Sequence, residues 1–127
     1  MSLNVTVHDE TSTGSILNLL KITLHQNHLS AKELIRIRVY QEVQDYNTKR
    51  TRCYRGLVQP EGSEPVINGY RMKRRYKLNP ERIFKNALRS FEQKGFSILV
   101  NENTVDDPNQ EIEIGTETRL SFLCANN

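Results

Sequence analysis

The sequence predicts an α+β protein built from one mixed sheet with a helix packed on one face. Short runs with apolar residues at every second position occur near both ends of the chain, and this alternation is typical of half-buried strands. Between them, two segments repeat apolar residues at the three- and four-residue spacing of an amphipathic helix. The 127 residues are enough for one modest core, so we expect a single domain over residues 1–127.

The first two strands are predicted to form a hairpin. Val5 and Val7 alternate with polar residues, and Leu20, Ile22 and Leu24 repeat the pattern further along the chain. The segment between the two runs contains DETSTGS, which is polar and includes the glycine that tight turns favour. Alternating runs on both sides of such a segment are typical of a β-hairpin.

The first helix is predicted to begin after Ser30 and to end near Asn47. Ser30 and Glu33 have the spacing of a capping box, in which each side chain accepts from an unpaired backbone N–H of the first turn. The apolar stripe of this helix comprises Leu34, Ile35, Val39, Val43 and Tyr46. The residues predicted on its other faces are Arg36, Arg38, Gln41, Glu42 and Asp45.

Residues 48–78 allow two interpretations. Residues 53–58 fit a short strand, and QPEGSEP (residues 59–65) has the composition of a loop. Asn68-Gly69 is a strong hairpin-turn signal, yet the residues around it fit a hairpin and an irregular excursion equally. The simplest role for Gly56 and Gly69 is to supply a positive φ.

A second helix is predicted from Asn79 and Pro80 to the residues before Gly95. Asparagine is a favoured N-cap, and proline fits the first helical position because its missing N–H has no helical partner there. Gly95 is predicted as the glycine that ends the helix in a left-handed conformation. The apolar stripe comprises Ile83, Phe84, Ala87, Leu88 and Phe91.

Three strands are predicted in the last third of the chain. Residues 96–100 form an apolar run, residues 111–114 alternate, and Leu120 and Phe122 alternate again. Polar segments rich in turn residues, DDPNQ and GTET, separate these runs. We expect Cys124 at the end of the last strand.

This order of elements resembles the β-grasp, or ubiquitin-like, fold, in which a hairpin and a crossing helix precede the remaining strands. SILVNENTVDD is similar to the strand and short hairpin of ubiquitin, and EIEIGTETRLSFL is similar to its final loop and strand. The resemblance covers residues 4–47 and 96–125. It implies a mixed β-grasp sheet with a helix on one face, and an inserted basic segment plus second helix over about residues 48–95.

Two further points follow from this resemblance. ELIRIRVYQEVQDYN, RGLVQP, NGYR and SFL are similar to an uncharacterised group of small bacterial ubiquitin-like proteins. Ubiquitin-like conjugation and sulfur-carrier proteins use a C-terminal diglycine, because a threaded tail tolerates no Cβ. Residues 124–127 read CANN instead, so we expect a carrier function only if the native chain continues further.

Catalysis is not indicated by any motif in the chain. The sequence lacks a nucleophile elbow, a Walker A loop, a zinc-protease helix motif and a dinucleotide-binding glycine motif. Asp106 and Asp107 precede Pro108 in a turn, where aspartates usually cap the backbone or remain solvated. Cys53 has arginines close by but no neighbouring histidine to serve as a base. We therefore expect a protein that is not an enzyme and that carries no cofactor.

The cysteines and histidines do not predict a metal site, because their spacing does not match tetrahedral zinc ligands. His25 and His28 are expected to be solvated loop residues. Two cysteines, Cys53 and Cys124, allow one disulfide. The first ten residues, MSLNVTVHDE, lack the basic and apolar parts of a secretory signal, so we expect a cytoplasmic protein. Cytoplasmic cysteines are usually reduced, which favours two free thiols. The chain also has no apolar run of membrane-spanning length, so we expect no membrane partner.

Charge is distributed unevenly along the chain. Residues 49–94 contain 13 Lys and Arg against 4 Glu, a net charge of +9, whereas the remaining residues carry −6. The residues predicted to bind a partner in this segment are Lys49, Arg50, Arg52, Arg55, Arg71, Lys73, Arg74, Arg75, Tyr76 and Lys77. In a hairpin, strand alternation would place Arg71, Lys73 and Arg75 on one face and Met72, Arg74 and Tyr76 on the other.

Three functions are compatible with this basic segment. The first is a non-catalytic interaction module that engages a protein partner through the sheet or through the basic insertion, whose cations fit a docking surface for an acidic protein. The alternative is nucleic-acid binding, RNA above all, because cations interleaved with aromatics such as Tyr54 and Tyr76 suit phosphate pairing and base stacking. The third is a truncated or diglycine-less ubiquitin-like carrier. The charges also fit a solvated edge that only prevents aggregation.

Overall fold

The structure is a computed structural model that describes residues 2–11, 13–67 and 69–124. Its strands, in chain order, are β1 (Leu3–Glu10), β2 (Ile16–Leu24), β3 (His28–Ser30), β4 (Cys53–Tyr54), β5 (Ser63–Val66), β6 (Gly69–Met72), β7 (Phe96–Val100), β8 (Asn103–Val105), β9 (Glu111–Glu113) and β10 (Leu120–Cys124). Its helices are α1 (Ala31–Thr48) and α2 (Pro80–Glu92). This content confirms the predicted α+β class.

The main sheet has five strands in the order β2-β1-β10-β7-β8. β1 and β10 run parallel at its centre, with Val7 opposite Leu120, and the other neighbours are antiparallel. The predicted hairpin is confirmed in β1 and β2, where a bulge beside Asp9 leaves Leu17 without an opposing residue. Because bulges bend the strand that carries them, the start of β2 departs from the regular edge of the sheet.

The core lies between α1 and one face of this sheet. Alternation along the strands buries one side of each, as predicted, although Leu20 and Val100 are only partly buried. The buried apolar residues of the sheet face are Val5, Val7, Ile22, Leu24, Phe96, Ile98, Val105, Leu120 and Phe122. They meet the buried stripe of α1, and α2 packs against α1 from the side. The Arg36 guanidinium covers the Phe84 ring at 4.1 Å and pairs with Glu81 at 2.8 Å, which joins the two helices.

The helix starts agree with prediction, and one helix end does not. Ser30 accepts from the Glu33 amide at 3.1 Å, and Asn79 accepts from the first amides of α2. The left-handed residue after α2 is Lys94, with φ of 64°, so the role predicted for Gly95 is wrong. Gly95 follows it and donates its amide to the Ser90 carbonyl at 2.7 Å, and a Cβ there would lie 2.3 Å from the serine Oγ. Glycine is therefore required at position 95 because a side chain would collide with Ser90, and not because the backbone has a positive φ.

Residues 49–78 fold into a second, three-stranded sheet in the order β4-β6-β5, so the hairpin interpretation is confirmed. The loop predicted over residues 59–65 ends earlier than expected, because β5 begins at Ser63. Pro65 is tolerated there since β5 is an edge strand. The strand predicted over residues 53–58 is reduced to the two residues of β4.

The predicted positive φ of Gly56 and Gly69 is also wrong, since neither is among the residues with positive φ in the described chain. A Cβ on Gly56 would lie 2.1 Å from the Tyr54 ring, and one on Gly69 would lie 2.8 Å from the Tyr54 carbonyl. Both positions need glycine because Tyr54 passes so close.

His28 lies in a strand rather than a loop, which corrects the prediction for that residue. β3 pairs with β9 in a two-stranded sheet, where Leu29 lies opposite Ile112 and both are buried. Three residues are too few for a recognisable alternation, and this is why the sequence did not predict β3. Within the described ranges, neither helix combines the length and apolar character needed to cross a membrane.

Candidate functional site

The three-stranded sheet gives the basic segment an inner and an outer face. Tyr54 and Met72 are fully buried, so they form the inner face. Cys53, Arg71 and Glu64 lie opposite one another across the three strands, and all three are exposed. Strand alternation therefore turns Tyr54 and Met72 inward and the charged residues of this sheet towards solvent.

All ten residues predicted as a binding surface are exposed. No carboxylate of the described chain lies within ion-pair distance of the nine cations among them, and the recorded ion pairs involve other residues. Exposed cations without internal partners keep a positive potential at the surface. The predicted cations are thus exposed and carry charge that no carboxylate of the described residues balances.

Three members of the set have structural roles that the sequence did not predict. The Arg75 guanidinium lies 4.4 Å from the centre of the Tyr46 ring and donates to the carbonyls of Tyr46, at 3.1 Å, and Lys49. The Arg52 guanidinium donates to the Lys73 carbonyl at 3.2 Å. The Tyr76 hydroxyl donates to the Glu61 carbonyl at 2.6 Å. These side chains hold the loops around β4 and β6 in place.

The predicted alternation of residues 71–77 is wrong beyond Met72, where β6 ends. The Lys73 amide donates to the Gly62 carbonyl at 2.9 Å, and Tyr76 lies against Gly62 as well. Because this stretch leaves the strand, Lys73, Arg74 and Arg75 do not take the alternating faces that a hairpin would impose.

Tyr54 is a core residue and not a surface aromatic. Its ring meets the Tyr46 ring edge-on, with centres 5.9 Å apart. Its hydroxyl has no hydrogen-bond partner among the described residues, and burial raises the pKa of this phenol. The aromatic predicted to stack on bases between the cations of 49–55 is therefore unavailable for stacking.

A buried ion cluster lies beneath the basic segment, formed by Asp9, Arg38 and Glu42. The Arg38 guanidinium donates to both Asp9 oxygens at 2.7 Å and to Glu42 at 2.8 Å. It also lies 4.5 Å from the centre of the Phe122 ring. Arg38 and Glu42 were predicted on the solvent faces of the helix, and this is wrong, since they are 2% and 6% exposed.

Two elements position the members of the cluster. Asp9 comes from β1, and Arg38 and Glu42 lie one turn apart on α1. The second oxygen of Glu42 accepts from the Leu57 amide at 3.2 Å, so the cluster also holds the chain that follows β4. Burial raises the pKa of Glu42, although Arg38 beside it favours the ionised form. A signal was present in the sequence: residues 35, 38, 39, 42 and 43 continue one helical stripe.

A groove of about 700 Å³ lies next to this cluster. Residues 18–21 of β2 form one wall, Thr51, Cys53 and Arg55 form the other, and the C-terminal half of α1 forms the floor. The groove adjoins a cleft of about 660 Å³, with which it shares Asn18 and Arg55. The sequence did not predict either cavity, because their walls come from segments far apart in the chain.

The adjoining cleft has exposed apolar residues and a partly buried thiol. Leu17 and Val66 line it and are 45% and 42% exposed. Cys124 also lines it, and burial raises the pKa of this thiol to about 11, with the Asp9 carboxylate contributing. Cys53 and Cys124 are both free thiols. A thiol with so high a pKa is a weak nucleophile near neutral pH.

The aspartates before Pro108 include one with a local structural role. Asp107 accepts from the Asn109 amide at 2.9 Å and so stabilises its turn, as expected. Across the described ranges, no group of three or more His, Cys, Asp or Glu side chains is arranged to hold a metal ion.

Comparison of the chain with family models, with curated proteins and with solved structures finds no match.

Proposed function

We propose that this chain is a non-catalytic, cytoplasmic β-grasp protein of bacterial type that binds an acidic protein partner through its inserted basic segment. The β-grasp assignment is supported by the strand order β2-β1-β10-β7-β8 and by the parallel pairing of the first and last strands. It is also supported by the order of elements along the chain, in which α1 follows the first hairpin and precedes the last strands. The inserted sheet and α2 then lie outside the region that resembles ubiquitin.

The observation that carries the proposal is the set of exposed cations without carboxylate partners. A chain that needed these charges only for solubility could balance them with acidic neighbours, as it does for Arg36 and Arg119. Glu64 lies opposite Arg71 across the strands, yet the two side chains are beyond ion-pair distance. Unbalanced positive charge at an exposed surface favours association with a surface of opposite charge.

A protein partner is favoured over RNA because only one of the two aromatics predicted to stack on bases is exposed. RNA recognition of single strands depends on exposed rings that stack on bases. Tyr54 is in the core, whereas Tyr76 is 45% exposed and its hydroxyl donates to the Glu61 carbonyl. RNA binding is therefore the alternative, with phosphate contacts and a single exposed ring to support it. The carrier function stays a prediction, since residues 125–127 lie outside the described residues.

The test compares an acidic peptide with RNA. Fluorescence anisotropy would measure the affinity of the purified chain for poly-glutamate and for mixed-sequence RNA oligonucleotides as salt is raised. We expect poly-glutamate to bind at low salt. Combined replacement of Arg71, Lys73 and Arg74 by glutamate should weaken it roughly tenfold, from three exposed charge pairs of up to about 1 kcal/mol each.

The matched control reverses three exposed cations on the helices, Lys32, Arg82 and Lys85. It changes the net charge equally but leaves the inserted sheet intact. Equal loss of binding in both variants would contradict the proposal, because net charge alone would then explain the affinity. Tighter binding of RNA, with a steep decline as salt rises, would favour the alternative.

A further inference from the structure

We infer that the groove between β2 and β4 binds an extended acidic peptide, which adds a strand to the free edge of β2. This inference rests on the proposed function and names the mode of binding and the chemistry of the bound segment. Both walls belong to edge strands: β2 ends the five-stranded sheet and β4 ends the three-stranded one. A sheet edge presents unpaired backbone groups, to which a peptide can pair as a further strand.

β2 directs towards the groove backbone groups that β1 does not pair. Gln41, on the groove floor, donates its side-chain amide to the Lys21 carbonyl, so this carbonyl points away from β1. In an antiparallel pair, the residues whose backbone groups point outward alternate along the strand. Leu19 therefore also directs its N–H and C=O outward, and it lines the same groove.

The charges at the groove favour an acidic peptide. Lys21, Lys49 and Arg55 line it, and all three are exposed. The acids that line it are Asp45, which is exposed, and Glu42, which is buried and paired with Arg38. Three cations thus outnumber the one free carboxylate, and the exposed cations of the inserted sheet extend the same sign of charge.

The groove also has an apolar end. Asn18 and Arg55 connect it to the cleft with Leu17 and Val66 at its mouth. These two side chains are nearly half exposed, and their burial by a partner would remove apolar surface from water. A volume of about 700 Å³ is within the roughly 300–1,000 Å³ typical of ligand clefts. The bound segment should therefore combine acidic residues with an apolar residue near one end.

The test uses synthetic peptides that alternate glutamate with valine or leucine, and matched peptides with lysine in place of glutamate. Binding is followed by fluorescence anisotropy, and amide shifts in NMR spectra locate it. We expect the glutamate peptides to bind and to perturb residues 18–21, while the lysine peptides do not bind.

The decisive variant is Leu19→Pro, which removes one outward N–H that β1 does not use. Proline is compatible with this position because the N–H of an edge strand can face solvent. Leu19→Ala is its matched control, since it shortens the same side chain and keeps the N–H. We expect Leu19→Pro to lower the affinity roughly tenfold, for a lost backbone hydrogen bond and the pairing that depends on it, and Leu19→Ala to lower it less.

A second line of variants keeps the test valid if Leu19→Pro does not fold. Replacement of Lys21 and Lys49 by glutamate should weaken binding roughly two- to fivefold per charge, whereas Lys32→Glu, on the first turn of α1, should leave it unchanged. Glutamate peptides that bind folded Leu19→Pro as tightly as the wild type would overturn strand addition, while the proposed function would stand if the charge variants still lose affinity. Absence of glutamate-peptide binding would overturn both. A concentration-dependent dimer that Leu19→Pro abolishes would identify a second copy as the occupant and overturn the inference.

Discussion

Two charged regions of this protein lie close together and use charge in opposite ways. In the buried cluster, each nitrogen of the Arg38 guanidinium donates to Asp9 or Glu42, and the arginine is 2% exposed. In the basic segment of residues 49–77, cations such as Arg71 and Lys73 are exposed and have no carboxylate partner among the described residues. The comparison separates charge that stabilises the fold from charge that remains available to a partner.

The largest effect is expected from Arg38→Met. Removal of the guanidinium leaves the Asp9 and Glu42 carboxylates buried without their cation, which should lower the free energy of unfolding by about 3–5 kcal/mol. Urea denaturation would measure this. Arg36→Met, which removes a half-exposed arginine with two carboxylate neighbours, is the control and should lower it by less than about 1 kcal/mol. Similar decreases in the free energy of unfolding for Arg38→Met and Arg36→Met would show that buried and exposed ion pairs contribute equally to stability, which would contradict this prediction.

A smaller loss is expected where the inserted sheet touches the core. In Gly56→Ala the new Cβ would collide with the Tyr54 ring, so the ring or the backbone must shift. Such overpacking should lower the free energy of unfolding by about 1–3 kcal/mol. Gly115→Ala is the matched control, because the nearest atom to its Cβ would be 3.9 Å away. An unchanged thermal midpoint for Gly56→Ala would show that Tyr54 is free to move.

The two thiols extend the comparison to reactivity. Cys124 lies beside the buried cluster with a pKa of about 11, so near pH 8 roughly one molecule in a thousand is a thiolate there. Cys53 is exposed on the inserted sheet. We expect iodoacetamide to label Cys53 first, as mass spectrometry of the peptides would show. Because the pKa of Cys124 is raised, its labelling should accelerate about tenfold per pH unit until pH 11 is approached. Equal rates at pH 8 would contradict the burial of Cys124.

The smallest effect on stability is expected from neutralising the exposed cations. Arg71→Gln, Lys73→Gln and Arg74→Gln should each change the free energy of unfolding by less than about 0.5 kcal/mol, because these side chains are exposed and have no ionic partner to lose. Guanidinium and thermal melts would both measure it. A loss above about 2 kcal/mol for the triple variant would assign these cations to the fold and weaken the proposed binding role.

The sequence predicts the elements that have long periodic patterns. It does not predict features that are determined by contacts between distant parts of the chain. The two helices, their N-caps and the first hairpin follow from spacing and capping residues that act locally. The charged side chain of Arg38 indicates a solvent-exposed position, whereas its place in the helix continues the buried stripe of α1, and the structure follows the stripe. The short strand β3 and the left-handed Lys94 have no local signature, since both depend on neighbours brought in by the fold.

The candidate site divides in the same way. Its cations are visible in the sequence because charge is a property of each residue. Its groove is not, since it requires β2, α1 and β4 to meet. The roles of Arg75 and Tyr54 were also hidden, because each is decided by the Tyr46 ring, which comes from another part of the chain.

The hydrogen bond from Leu57 to Glu42 has a consequence for how this protein could change over evolutionary time. The helix that completes the main core also holds residues 49–78 at a second point, since the Asn47 side chain accepts from the Leu78 amide at 2.9 Å and donates to the Leu78 carbonyl at 3.1 Å. Loss of residues 49–78 would leave Glu42 short of a donor and would expose Tyr46. Residues 49–78 and α1 therefore depend on each other, and a chain without this segment would need different residues on one face of α1.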